Sequence, residues 1–431
     1  MPQRFQLLGH KSRIFDCSFA PSLSHQTAAP QTGAHAGGGD VPAVASELSA
    51  TSTQRPTSSA SGRSRGGDGP HQPQQLLATS SEDSCVRLWD VARRRCVSVL
   101  STSPEDEVLR VAWSRNARLV AAGTALGKVY LWNNPRLATQ HSAHTPTTGA
   151  PKGTQQRHPP ERIEPLDLGG QIYACEFNPD VEHRVVVGAE DCLREIDIET
   201  RQTLWTWHVP PMADDEQSGP TFGGDRNPDK TDFVFDSSFA PGGQILAAAA
   251  SDGTIRLVDR RSVQEVLVLQ GHDRFVTSCV FKSQQQGARK QLGGALLLGS
   301  TSGDATVCLW DARMNAQCLF RFGDNRKTIF GCCFSNTGNE LVTCSADGTV
   351  HAYDVGTGEC VKELAFGNYS MLGLDMDEQG TLALCGGQSV VGGTPAWVVT
   401  DALAVPKKSN PRASAFAAAA GSSSDAPSAA I

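Results

Sequence analysis

A six-residue apolar pattern recurs seven times along this chain of 431 residues, and recurrence on that scale constrains the fold more than any local preference. Its copies are IFDCSF (Ile14 to Phe19), VLRVAW (Val108 to Trp113), IYACEF (Ile172 to Phe177), VFDSSF (Val234 to Phe239), VTSCVF (Val276 to Phe281), IFGCCF (Ile329 to Phe334) and MLGLDM (Met371 to Met376). Six end on an aromatic residue, and the fourth position is Cys17, Val111, Cys175, Ser237, Cys279, Cys332 or Leu374. Alternate positions thus share a buried face, and each copy reads as a short strand.

Behind each copy comes a second apolar run, starting near Leu76, Leu119, Arg184, Ile245, Leu296, Leu341 and Leu382. Third runs start at Val86, Val129, Leu193, Ile255, Val307, Val350 and Ala396. Between second and third lie turn signals such as Ser251-Asp252-Gly253-Thr254 and Ala346-Asp347-Gly348-Thr349, which supply the Asp and Gly of a tight hairpin. Fourth strands are expected at Cys96 to Leu100, Arg162 to Leu168, Thr203 to Trp207, Glu265 to Leu269, Gln317 to Phe322 and Cys360 to Phe366. The seventh unit lacks one, while Phe5 to Leu8 is an apolar run without a partner. Pairing the two closes a ring and protects the edges that an open array would expose. The expectation is an all-β chain: a single seven-bladed β-propeller of four-stranded antiparallel blades over residues 4–401, closed by an N-terminal strand on the last blade.

Polar residues sit in register with this frame. In the first unit Gly9-His10 is followed by Thr79, Asp83, Trp89 and Asp90; in the fifth Gly271-His272 is followed by Ser300, Asp304, Trp310 and Asp311. The chain resembles the Trp-Asp repeat propellers, and these residues carry the resemblance. It implies that His10, Thr79, Asp83 and Trp89, and likewise His272, Ser300, Asp304 and Trp310, form structural hydrogen-bonded sets within their blades. Other units depart from the pattern. Unit four has Ala248 and Val258 for Ser/Thr and Trp, unit three has Ile196 for Trp, and unit six has Tyr353 for Trp and Gly323-Asp324 for Gly-His. A His-Ser-Asp grouping also looks like a hydrolase triad, but Thr79 and Ser300 fall inside strands and not on an exposed elbow.

Three insertions interrupt the frame. Residues of about 21–75 are rich in Ser, Thr, Gly, Ala, Pro and Gln, and are expected to be disordered for want of apolar surface to bury. Residues of about 134–162 carry Arg136, Lys152, Arg157 and Arg162 with no acid before Glu161. They read as a basic solvated linker, with weak contact to RNA or an acidic partner as the alternative. A third insertion, 210–230, starts acidic, and 402–431 is an Ala- and Ser-rich tail expected to be flexible.

Thirteen cysteines without any C-x-x-C spacing imply a reducing cytoplasmic or nuclear setting and no secretion. The four in the fourth column suit a small apolar group in a core better than a metal or redox site. No run of about 18 apolar residues predicts a membrane span. No phosphate-cradling loop, H-E-x-x-H or G-x-S-x-G occurs, and no catalytic, cofactor or metal site is expected.

The function read from this is a non-catalytic scaffold, a monomeric subunit that presents rims and loops to partner proteins in a larger complex. Arg13, Arg274, Arg326, Lys327 and Tyr369 stand just before inner strands and make a basic arc suited to an acidic or phosphorylated peptide, the alternative being ordinary solvated charge. Units four and five also end in Asp-x-Arg, as Asp259 to Arg261 and as Trp310-Asp311-Ala312-Arg313. This resembles propellers that serve as substrate receptors of cullin-RING ubiquitin ligases and implies an adaptor contact there. A surface ion pair is the competing reading.

Overall fold

The computed structural model describes residues 3–22, 75–134, 162–210, 233–283, 296–313, 318–387, 394–400 and 402–403. The insertions and the tail lie outside the described residues except at their edges. Among the described residues there are twenty-eight strands and no helix. They form seven four-stranded antiparallel sheets, six of which use four consecutive strands. The seventh is built from Met371–Met376 (β26), Leu382–Gly386 (β27), Thr394–Thr400 (β28) and the N-terminal Gln3–His10 (β1). β1 runs antiparallel to β28, with Gln3 opposite Thr400 and Leu7 opposite Ala396. Neighbouring inner strands touch all the way around, the last against the first, so the ring is closed. The chain is a seven-bladed β-propeller.

The core lies between blades. Each of seven buried clusters joins one sheet to the next, as where Leu76, Val86 and Leu88 of the first blade pack on Val108, Val111 and Trp113 of the second. The cluster holding Leu7, Ile14, Trp89, Ala383 and Val398 seals the last blade to the first. Burying a Val, Leu or Ile side chain there contributes about 1.5–3 kcal/mol, and no blade buries its apolar face without a neighbour.

The inner strands depart from simple alternation in one repeated way. Every blade has a register shift between the first and third residues of its inner strand, from Ile14/Asp16 to Met371/Gly373. The bulge turns the second residue out of the core. In the first blade Ile14, Cys17 and Phe19 are buried while Phe15, Asp16 and Ser18 are half-buried. Strict alternation would have put Phe15 with Cys17 and Phe19; the extra residue at the bulge re-aims it.

Candidate partner-binding surface

One face of the ring is set by a hydrogen bond repeated in all seven blades. The turn after the second strand donates a backbone N–H to the residue just before or at the start of the inner strand, as Glu82 to the Arg13 carbonyl and Gly303 to the Phe275 carbonyl. These turns and the approaches to the inner strands therefore share a rim.

Below that rim sit the polar sets. In the first blade Trp89 Nε1 donates to Thr79 Oγ1 at 2.8 Å, His10 Nε2 lies 2.8 Å from the same oxygen, and His10 Nδ1 lies 3.0 Å from Asp83 Oδ2. Burial holds the His10 pKa below its ordinary value. Burial alone would raise that of Asp83, but its hydrogen bond with His10 leaves the carboxyl below its usual range. A neutral ring facing a carboxylate carries its proton on Nδ1, so Nε2 accepts from the threonine and donors run one way from Trp89 to Asp83. The fifth blade repeats this with Trp310 to Ser300 at 2.9 Å, His272 to Ser300 at 2.8 Å and His272 to Asp304 at 3.3 Å. The preceding glycine is required: a Cβ on Gly9 or Gly271 would stand 2.9 Å from the Trp89 or Trp310 ring. Thr79 and Ser300 are fully buried, with each hydroxyl held between Trp and His.

Other blades replace the set. In the sixth, the residue four before Ile329 is Asn325, matching His10 before Ile14, so the pairing of Gly323-Asp324 with Gly-His is one residue out. Asn325 Oδ1 meets His351 Nδ1 at 3.1 Å, and its amide nitrogen donates to the Tyr353 hydroxyl at 3.4 Å. In the fourth, Arg256 is held by Asp252 at 2.7 Å and Glu265 at 2.9 Å. Its charge is satisfied where Ala248 and Val258 leave no Thr–Trp pair.

The predicted basic arc divides. Arg13 is paired to Glu82 at 3.3 Å on the first blade, and Tyr369 stands edge-on to Trp397 at 6.0 Å in the seventh. Arg274, Arg326 and Lys327 come together. With Gly303, Thr328 and Phe330 they line an open depression of about 670 Å³ between the fifth and sixth blades. Its two acids are already matched, since Arg321 reaches Asp273 at 2.5 Å and Asp304 at 3.4 Å. The three basic side chains at the wall are all exposed.

The Asp-x-Arg residues divide as well. Trp310 is wholly enclosed and Asp311 is buried, so neither offers a surface to an adaptor. Arg313 lies beside Asp311 at 3.1 Å with its side chain 42% exposed. Arg261 is exposed, and its backbone N–H donates to Asp259 at 2.8 Å.

Sequence reasoning missed the aromatic side chains at the bulged second position. Phe15, Tyr173, Phe235 and Phe330 are half-buried at that position, and their column could have been read from the seven copies had the bulge been foreseen. It also missed one trio with metal-ligating chemistry, Asp191, Cys192 and His208, whose donor atoms lie within 4.8 Å of one another. Asp191 and His208 form a surface pair at 3.3 Å, and the Cys192 thiol donates to the Ala189 carbonyl.

The family model "WD domain, G-beta repeat" matches residues 68–90, 94–133, 223–259, 263–311 and 316–354. The chain is a WD-repeat β-propeller. Three of the matches begin at an outer strand and run through the first three of the next blade, as 263–311 spans Gln264–Gln270 to Val307–Asp311. In those three the repeat is out of phase with the blade, and each links two neighbours.

WD-repeat relatives include the nuclear distribution protein nudF of Aspergillus niger, 30% identical over 132 residues, which are 30% of this chain and 28% of nudF. Coronin-7 of Bos taurus is 35% identical over 29% of this chain and 13% of its own. Pre-mRNA-processing factor 19 homolog 2 of Arabidopsis thaliana is 28% identical over 28% of this chain and 22% of its own. The matched segments thus span less than a third of these relatives' lengths.

Proposed function

We propose that this WD-repeat chain is a non-catalytic scaffold subunit that holds partner proteins on the rim of a rigid propeller within a multiprotein assembly, in the cytoplasm or nucleus. The observation that carries this is the 670 Å³ depression walled by Arg274, Arg326 and Lys327. Its surplus positive charge suits an acidic or phosphorylated peptide, because charge-assisted hydrogen bonds to carboxylate or phosphate are strong and selective. Thirteen free cysteines support a reducing compartment. Proteins with WD repeats serve generally as non-catalytic platforms, and the buried, engaged hydroxyls of Thr79 and Ser300 support that role here.

A second reading, a cullin-RING ligase substrate receptor, draws on one further observation. Arg313 borders an apolar groove of about 290 Å³ formed by Ile245, Leu257, Val266, Leu267 and Leu296 at the fourth and fifth blades. That is a fitting seat for an adaptor helix beside a basic contact.

Affinity capture with mass spectrometry separates the readings. The intact chain is compared with Arg274→Glu/Arg326→Glu/Lys327→Glu and with Arg261→Ala/Arg313→Ala. Loss of partners in the first variant alone supports the scaffold face; loss of a cullin adaptor in the second supports the receptor. Partners unchanged in both variants would overturn both sites.

A further inference from the structure

Beside the basic depression lies an arc of aromatic rings. Tyr173 of the third blade stands 6.2 Å from Phe233 and 5.5 Å from Phe235 of the fourth, and Phe235 stands 5.7 Å from Phe275 of the fifth. All four are half-buried, so each packs on its neighbour and keeps some of its surface to solvent. Single exposed apolar residues are ordinary on a protein surface, but contiguous apolar patches mark binding sites, and aromatic rings bring large contact area at low entropic cost.

The arc and the depression are continuous. Phe275 packs so closely on Gly303 that any Cβ there would collide with its ring, and Gly303 lines the depression. Phe330, at the bulged second position of the sixth blade, lines it too. Beneath the arc Arg110 crosses from the second blade: its guanidinium donates to the Tyr173 carbonyl at 2.5 Å and the Phe235 carbonyl at 2.9 Å. A ligand laid on the arc therefore rests on a braced floor. At the bulged second position the second, fifth and seventh blades carry Leu109, Thr277 and Leu372, and the first carries Phe15, for which no ring contact with the arc is seen among the described residues, so the contiguous rings are those of the third to fifth blades.

From this we infer that arc and depression form one bipartite site, which takes a linear peptide carrying an aromatic side chain beside a run of anionic residues. The aromatic residue stacks among Tyr173, Phe233 and Phe235; the anionic residues reach Arg274, Arg326 and Lys327. The inference rests on the scaffold reading of this face and adds the apolar anchor, which charge alone does not require.

The test is fluorescence anisotropy of the full chain with a labelled peptide Phe-Gly-pSer-Glu-pSer-Glu. Its companions replace Phe by Ala, both phosphoserines by Glu, or every anionic residue by Ser or Gln. We expect the parent to bind at least tenfold more tightly than the Ala peptide and the uncharged peptide, about the effect of one well-packed anchor. The all-Glu peptide distinguishes carboxylate from phosphate as the preferred anion. The exposed Arg274→Ala/Arg326→Ala/Lys327→Ala variant should lose the preference for charge and keep that for Phe. Phe233→Ser should do the reverse. If Phe233→Ser does not fold, the Ala peptide on the intact chain reads the same contact from the ligand side. Equal affinity for Phe and Ala peptides overturns the anchor and leaves the anionic site standing. Equal affinity for charged and uncharged peptides overturns both.

Discussion

Arg260 of the fourth blade reaches across to the third and closes on Glu195, with Nε 2.9 Å from Oε2 and a terminal nitrogen 2.9 Å from Oε1. Glu195 is almost fully buried and also accepts from Trp205 at 2.5 Å and Asn178 at 2.7 Å. A carboxylate in that position needs its cation, because removing one partner of a buried pair strands the other charge. Arg260→Ala should therefore destabilise the protein by about 3–5 kcal/mol, read from urea unfolding. The double variant Arg260→Met/Glu195→Gln should recover part of the loss, since it removes the stranded charge but keeps only one of the two acceptor oxygens used by Trp205 and Asn178. A single-variant cost under about 1 kcal/mol would show the pair to be no more than a surface contact.

The Thr79 hydroxyl lies between Trp89 and His10, and Ser300 between Trp310 and His272. Thr343 occupies the same register position in the sixth blade, opposite Cys332 as Thr79 is opposite Cys17, and its buried hydroxyl finds no hydrogen-bond partner among the described residues. Three near-isosteric substitutions separate these cases. Thr79→Val and Ser300→Ala each leave a buried indole N–H and an imidazole nitrogen without partners, and should cost about 1–3 kcal/mol. Thr343→Val removes a hydroxyl that makes no bond and should be neutral or stabilising. Equal losses at all three sites in thermal unfolding would show that the hydrogen-bonded sets are not what holds their blades.

The ring was legible because its signal is columnar. Seven copies of one strand place Cys17, Val111, Cys279 and their counterparts in one column that is buried except at the half-buried Cys175, and Phe5 to Leu8 without a partner points to closure. The Thr79 and Ser300 sets were legible through the resemblance to the Trp-Asp repeat propellers, whose spacing two adjacent strands reproduce here. What stayed hidden depends on geometry that spacing does not encode. The bulge moves Phe235 from the core to the rim, and Asn325 differs from histidine while standing one residue beyond Gly323-Asp324. Glu195 and Arg260 lie 65 residues apart in different blades, where no periodicity pairs them. The basic arc was drawn through Arg13 and Tyr369 because both precede inner strands, yet the depression is lined by Arg274, Arg326 and Lys327 without them.

Asp375, on the inner strand of the last blade, accepts the Phe19 N–H of the first at 2.7 Å. Burial pushes its carboxyl up to about 7 from an ordinary 3.8, against the pull of its backbone donors, with Asp16 and Asp377 adding to the rise. A folded-state value above the unfolded one means the folded protein holds a proton that the unfolded chain has released. Its stabilising contribution is full below about pH 4 and is lost as pH rises through about 7. Asp375→Asn removes this dependence. The variant should gain on the intact chain by on the order of 1–2 kcal/mol between pH 5 and 8.5, a figure reduced for the half-buried side chain. Parallel stability–pH curves for the two proteins would rule out this titration.

Cys318 stands apart from the other described thiols. A hydrogen bond from Cys308 holds its pKa below the ordinary value and it is half-buried, whereas that same contact and burial push Cys308 up. Burial takes Cys175 and Cys332, in the fourth column of the inner strands, up to about 12. Since the thiolate is the reactive form, an aromatic disulfide reagent at pH 7.5 should modify Cys318 well before Cys175, Cys279 or Cys332. Peptide mapping of the labelled protein identifies the site. The buried Cys279 and Cys332 should become reactive only as the propeller unfolds, at the rate of unfolding and independent of reagent concentration. First-order dependence on reagent at Cys279 or Cys332 in the native protein would place those thiols outside the core, and overturn the reading of the column as small apolar packing.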